Sequence, residues 1–227
     1  MSSNSRSVNN KIEDKSLGSK VADVIRGRII SGEYPQASRI TEGEFSKAFG
    51  VSHSSVREAF SLLEAEGLIN SIRHKCTEVV SFDIQDIEEL YSLRLAIEML
   101  CVESCIANGS IQTDKLKEYA THIVDTTVEA SEILLESVEA DISFHDTIVY
   151  SSGNKRAINV WNSIRNQLKT LLYTINKRAS EKMIIVNTKD HDEIIKAFDN
   201  SDCKKIQELL ITHIKGGLQL CLEYYRE

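Results

Sequence analysis

Residues 41–69 read TEGEFSKAFGVSHSSVREAFSLLEAEGLI, and this stretch decides the fold of the first third of the chain. Thr41 followed three residues later by Glu44 is a capping box: the hydroxyl takes a free backbone N–H and the carboxylate reaches back to the cap. The helix opened there runs to Phe49, and Gly50 stops it. After Val51, Ser52 caps a second helix, which Gly67 ends. Two helices joined by a tight turn at Gly50-Val51 predict a helix-turn-helix. Upstream, residues 17–30 place Val21, Val24, Ile25 and Ile30 near helical spacing, and the run Gly32-Glu33-Tyr34-Pro35 ends that helix. Arg39 and Ile40 suit a short strand. Downstream, residues 68–72 and 78–80 read as β-branched strands flanking Arg73-His74-Lys75-Cys76-Thr77. Three helices and a two-stranded ribbon predict a winged helix-turn-helix over residues 17–80.

The pattern changes near Val80. The single proline, Pro35, lies behind that point, so little later in the chain breaks a helix. Helices are expected at 84–108, 113–130, 132–151, 154–177, 190–198 and 201–225, with Thr113 and Ser201 as N-caps. Trp161, Ile164, Leu168, Leu171 and Ile175 form an apolar stripe at helical spacing. Six amphipathic helices with short links predict an antiparallel bundle over residues 81–227. The fold class is therefore mainly α: a winged helix-turn-helix head followed by an all-helical antiparallel bundle.

Charge divides the chain in the same place. Residues 1–80 carry 11 Lys and Arg against 10 Asp and Glu; the remainder carries 16 against 24. An acidic body beside a near-neutral head can still bind nucleic acid if the head gathers its cations on one face. No apolar run approaches the roughly 18 residues of a membrane span. The polar start MSSNSRSVNN lacks the apolar segment of a secretory signal. Residues 1–16 read as a disordered arm, or as a cloning or start-site remnant. The five cysteines, Cys76, Cys101, Cys105, Cys203 and Cys221, form no CxxC. That argues against a disulfide framework or a thiolate zinc site and suits the reducing cytoplasm. Cys101 and Cys105 read as small buried apolar residues.

The second helix of the helix-turn-helix begins Ser52-His53-Ser54-Ser55-Val56-Arg57. Its first turn is short, polar and rich in donors, as a recognition helix requires where it meets base edges. Its free N–H groups also suit phosphate. Arg57 matches either a guanine or a phosphate, while Val56, Ala59, Phe60 and Leu63 would face inward. The ribbon tip adds Arg73, His74 and Lys75, which read as phosphate or minor-groove contacts or as a solvated basic loop. Double-stranded DNA is the expected partner.

The bundle carries a second constellation. Asp141 and His145 lie four apart on a face with Val138, Ile142, Ile148 and Val149, so both point inward. His191 shares a face with Ile194, Ile195 and Phe198. His213 shares one with Ile206, Leu209 and Leu210. His122 sits beside its apolar stripe and not within it. Taken singly, each histidine reads as a hydrogen-bonded core residue. Taken together, three imidazoles and a costly buried carboxylate converge on one interior, and one divalent cation would satisfy all four. A set of three histidines and one aspartate suits zinc, nickel, cobalt, iron or manganese.

The residues Gly32-Glu33-Tyr34-Pro35, Arg39-Ile40-Thr41-Glu42, Phe45-Ser46, Phe49-Gly50-Val51-Ser52, Val56-Arg57-Glu58-Ala59-Phe60 and Leu63–Ile69 resemble the N-terminal domain of the GntR regulators. Asp141-Ile142-Ser143-Phe144-His145, Asn154, Asp190-His191 and His213, with Arg94-Leu95-Ala96-Ile97-Glu98, are similar to the C-terminal FCD domain of the FadR-type subgroup. The resemblance implies a dimer on operator DNA, with Ser52, Ser54, Ser55 and Arg57 of the recognition helix and Arg73 and Lys75 of the wing at the duplex; His53, read from its own chemistry, can still donate there. It also implies a metal on Asp141, His145, His191 and His213, with a small organic carboxylate beside it. Arg94 and Asn154 match effector-site positions; read from the residues alone they are an ion pair with Glu98 and a helix cap. Two departures stand out: His53 replaces the usual arginine, and Cys76 the usual wing glycine. The expected function is a ligand-controlled transcription regulator and not an enzyme. The alternatives are a metal-dependent hydrolase and a direct metal sensor.

Overall fold

The computed structural model of the chain describes residues 15–72, 76–122, 131–178 and 184–226. Arg73, His74 and Lys75 of the expected wing tip lie outside these residues. So do most of the expected N-terminal arm and the far end of the helix expected over 113–130.

The head is built on α1 (Leu17–Ile30), α2 (Glu42–Phe49) and α3 (His53–Ala65). Each start and stop has a local cause. Ser16 caps α1 by accepting from the Ser19 amide at 3.0 Å. The capping box of α2 is complete, because Thr41 Oγ1 accepts from the Glu44 amide and Glu44 accepts from the Thr41 amide. Gly50 ends α2 with φ 64°, a left-handed conformation that an L side chain resists. Ser52 then caps α3. The buried faces of the helices close a small core of Val21, Ile25, Ile29, Phe45, Val56, Phe60 and Leu63. Phe45 sits edge-on to both Tyr34 and Phe60, a favoured ring geometry.

Three short antiparallel strands complete the head: β1 (Arg39–Ile40), β2 (Ile69–Ile72) and β3 (Cys76–Val79), in the order β1-β3-β2. Ile69 pairs with Val79 and Ile72 with Cys76, which sets the register of the wing. The short strand at Arg39 thus joins the ribbon expected from the sequence as its third member.

The rest is helical: α4 (Ile84–Asn108), α5 (Thr113–His122), α6 (Ser131–Ser151), α7 (Lys155–Arg178), α8 (Ile184–Asp199) and α9 (Cys203–Arg226). Trp161, Leu168, Leu171 and Ile175 of the expected stripe are fully buried in the bundle core. Three expectations are corrected. Thr113 is already helical, and the Gln112 carbonyl takes the first amides of α5. Ser201 is not the cap of α9, because it adopts φ 53° at the exit of α8. Asp202 caps instead, accepting from the Lys205 amide at 3.0 Å. Asp190 does not open α8, which begins six residues earlier, and its carboxylate serves the site described below.

The head rests on the bundle through the far end of α3. Glu66 accepts two bonds from Arg26 of α1, both 2.6 Å, and a third of 2.8 Å from Asn166 of α7. Gln36 bridges to Tyr225 of α9 and accepts from the Phe82 amide.

One turn carries strain. Ser38 N–H donates to the Pro35 carbonyl, and Ala37, third in that four-residue turn, has φ 61°. This is a type II turn, in which the third position favours glycine. A left-handed alanine costs roughly 1–2 kcal/mol, part of which glycine's greater chain entropy cancels. Ala37→Gly is expected to raise unfolding stability by about 0.5–1 kcal/mol, read as a higher denaturant midpoint at unchanged slope.

Candidate metal centre and nucleic-acid interface

The four bundle residues singled out in the sequence meet. Asp141 and His145 on α6, His191 on α8 and His213 on α9 place their ligand atoms within 4.8 Å of one another. His145 and His191 are fully buried, and Asp141 and His213 retain 7% and 6% of their surface. Helical spacing brings the first two together, since residues four apart stand one above the other on α6. Phe144 packs edge-on to His191 at 4.4 Å and closes one wall.

The hydrogen bonds fix where the protons sit. Glu98 of α4 is fully buried and accepts from Arg94 Nε at 2.8 Å and from His145 Nδ1 at 2.6 Å. Burial alone would raise its pKa; the facing His145 and Arg94 outweigh it and hold the carboxyl down to about 2. An ionised carboxylate only accepts. The His145 proton is therefore on Nδ1, and its Nε2 presents a lone pair. Asp190 Oδ2 stands 3.5 Å from Nδ1 of His213, an electrostatic contact that favours the same tautomer. Yet Nε2 of His145 and Nε2 of His213 face each other at 3.2 Å. With His145 Nε2 an acceptor, that approach is satisfied by a proton on His213 Nε2 or by a cation held between the two nitrogens.

Neighbouring groups point the same way. Asp141 Oδ1 and Arg94 Nη2 are buried without a hydrogen bond among the described residues. Asp141 Oδ1 lies 3.3 Å from His191 Nε2. Burial works against the Asp141 charge, but the surrounding imidazoles and Arg94 hold its carboxyl far below the ordinary range. The set thus stays anionic and offers nitrogen and oxygen donors to one point. That fits a divalent ion of the zinc, nickel or manganese type, whose donors at roughly 2.1 Å would draw this cluster slightly inward. Carboxylates behind two of the imidazoles are the usual support for such ligands. Sequence reasoning missed Glu98 and Asp190 in this role. The signal for Glu98 was present: an acidic residue on the α4 face of Tyr91, Cys101 and Cys105, read merely as the partner of Arg94.

Of the remaining residues named from sequence, Arg94 is buried and joins the cluster through Glu98. Asn154 caps α7, its Oδ1 accepting from the amides of Arg156 and Ala157 at 3.2 Å. His122 bonds the Glu118 carbonyl of its own helix and takes no part. In the head, Ser52, His53, Ser54 and Arg57 are exposed and Ser55 is half-buried. The first turn of α3 therefore faces solvent, while Val56, Ala59, Phe60 and Leu63 anchor it.

A winged helix-turn-helix with an open recognition turn, attached to a helical bundle with one aspartate and three histidines turned inward, defines a class of transcription regulators. Two family profiles agree with this: bacterial regulatory proteins of the gntR family match residues 17–79, and the FCD domain matches residues 89–216. The chain belongs to the GntR family and carries an FCD C-terminal domain. It is 28% identical over 199 residues to the gluconate operon transcriptional repressor of Bacillus licheniformis, covering 82% of this chain and 77% of that protein. It is 25% identical over 208 residues to a probable D-xylose utilization operon transcriptional repressor of Paenarthrobacter nicotinovorans, covering 89% and 87%. Among solved structures, a GntR transcriptional regulator from Rhodococcus sp. RHA1 superposes with TM-score 0.76 at 22% identity, covering 93% of this chain and all of that one. The relatives are transcriptional regulators and not enzymes. No described helix is long and apolar enough to cross a membrane.

The burial of neutral imidazoles sets a pH dependence. Burial first, and then the neighbouring histidines against a partial offset from Asp190, lowers the His213 pKa from 6.5 to about 4. Burial and Arg94 lower that of His145 as well. The unfolded chain therefore takes up protons that the folded chain refuses. Metal-free protein is expected to hold this stability above about pH 6.5 and to lose it as pH falls toward 4, at up to ~1.4 kcal/mol per pH unit per group. Thermal unfolding of chelator-treated protein across that range measures it, and a flat profile would contradict the burial of these imidazoles in their neutral form.

Proposed function

We propose that the protein represses genes for the uptake or breakdown of a sugar acid, binding their operator as a homodimer. A small carboxylate, held beside a divalent metal in the bundle, would control that binding. The observation that carries this reading is Arg94: a guanidinium with 2% of its surface exposed, pinned through Nε by Glu98, with Nη2 unpartnered among the described residues next to the aspartate–histidine cluster. A buried cationic donor with a free N–H is costly, and a ligand carboxylate satisfies it while also reaching the metal. The roles of the gluconate operon repressor and the D-xylose operon repressor support the choice of carbohydrate-derived acids.

In this reading Asp141, His145, His191 and His213 hold the metal, Glu98 and Asp190 orient two of the imidazoles, and Arg94 receives the carboxylate. Asn154 serves the site by fixing the start of α7. Ser52, His53, Ser54, Ser55 and Arg57 meet the duplex, with Arg73 and Lys75 of the wing alongside. Two copies engage two half-sites, and the effector shifts the balance between dimer geometries by its differential affinity for them.

The test measures operator binding by fluorescence anisotropy on a duplex from the protein's own promoter region, with gluconate and related sugar acids as probes. The wild type, carrying about one metal per chain, is expected to lose affinity at least tenfold with the right acid. Two variants, His213→Ala and Arg94→Gln, are expected to keep DNA binding and lose the response. A response that survives in both variants places the effector elsewhere. Operator affinity that follows added metal with no acid present makes the metal itself the signal.

A further inference from the structure

The surface of α3 holds an ion pair that the fold does not need. Arg57 donates through Nε to Glu42 Oε1 at 3.2 Å and through Nη2 to Glu42 Oε2 at 3.1 Å. Glu42 is the first residue of α2, so the pair crosses the turn between the two helices. The capping box does not use it, since Thr41 is served by Glu44. The dipole of α2 favours an acidic residue at that position, but it does not require Arg57 to fold back onto it. Arg57 is 69% exposed at its side chain, where an isolated ion pair adds little to stability. What the contact does is hold a long, mobile side chain in one orientation.

The orientation has chemical content. Glu42 occupies the Nε edge of the guanidinium. The outer edge, with both Nη1 hydrogens and the second Nη2 hydrogen, has no partner among the described residues. That edge carries two parallel donors, the arrangement that matches N7 and O6 of guanine in the major groove. A phosphate is a poor alternative, because the pair is neutral overall and an approaching phosphate meets the Glu42 carboxylate beside the guanidinium.

We propose that Glu42 is a specificity-determining residue: it buttresses Arg57 so that the arginine reads a guanine base and not the phosphate backbone. The inference rests on the reading that the first turns of α3 enter the major groove.

Wild-type protein, Glu42→Ala, Glu42→Gln and Arg57→Ala would each be offered a duplex pool with randomised central positions, and the bound duplexes sequenced. Affinity for the selected duplex and for an unrelated one is then measured across a salt series. The wild type is expected to fix a G·C pair in each half-site. Glu42→Ala is expected to keep its thermal midpoint and its affinity for unrelated DNA while the preference at that pair falls roughly 5- to 150-fold, the discrimination a bidentate arginine–guanine contact gives. Arg57→Ala loses the same position. Glu42→Gln, with one oxygen left to accept, falls between. If Glu42→Ala shifts affinity equally on all sequences with the guanine preference intact, Glu42 acts by charge alone and the proposal fails. It fails equally if Glu42→Ala and Arg57→Ala relax different positions. Wild-type protein that selects no sequence overturns the major-groove reading as well as this one.

Discussion

Two imidazole nitrogens, Nε2 of His145 and Nε2 of His213, face each other at 3.2 Å inside the bundle. Everything around them can be understood from that constraint. The His145 nitrogen presents a lone pair because the Glu98 carboxylate accepts from the N–H on the far side of that ring, and the carboxylate stays ionised because His145 and Arg94 face it. Remove any one of these and a buried charge or a buried donor is left uncompensated, which costs more than the lost contact itself. A cation among Asp141, His145, His191 and His213 would compensate the carboxylate and the facing nitrogens at once. Four helices contribute to it: α4 through Arg94 and Glu98, α6 through Asp141 and His145, α8 through Asp190 and His191, and α9 through His213. The same point therefore organises ligand chemistry and helix packing.

The head was legible because its signals are local. A capping box, a glycine at a left-handed stop and a serine cap each act within four residues, and each is found where the sequence put it. The long helices were legible from apolar spacing, and the Asp141–His145 pair from its position on an apolar face. What the sequence concealed depends on partners far apart in the chain. Glu98 meets His145 across 47 residues, and nothing near Glu98 announces which imidazole it will face. The helix expected from Asp190 in fact starts at Ile184, which places the Asp190 carboxylate within α8 and beside His213. Ser201 and Asp202 are adjacent and both able to cap. The backbone at Ser201, turned left-handed to leave α8, decides for Asp202. The Glu42–Arg57 pair escaped for the same reason, since only the crossing of α2 and α3 brings its members together.

How the head is held on the bundle follows from α7. On one side this helix grips α6 next to the cluster: Trp161 Nε1 donates to Asp146 Oδ1 at 2.5 Å, and Arg165 pairs with the same carboxylate, which adjoins His145 in sequence. On the other side, one residue further along, Asn166 donates to Glu66 at the end of α3. Gly67 follows there with φ 66°, and the side chain of Gln167 lies where a Cβ would be. A larger residue at 67 would meet both the backbone restriction and that side chain, so the close approach depends on glycine.

This geometry separates what α3 does at its two ends. Its far end is fixed by Arg26, Asn166 and the flush contact at Gly67, while its first turn, from Ser52 to Arg57, is left to solvent. Buried Val56, Ala59, Phe60 and Leu63 hold the helix to the head along its length, so a shift at its far end moves the head and the exposed turn together. α7 touches both the helix that bears Asp141 and His145 and the anchor of α3. Linkage between two sites requires at least one element whose position both can bias. Among the described contacts α7 meets that requirement directly, through polar side chains that are geometrically specific and not through general apolar packing. In the proposed reading, a ligand that changed how α6 sits against α7 would reach the head through the Asn166–Glu66 contact.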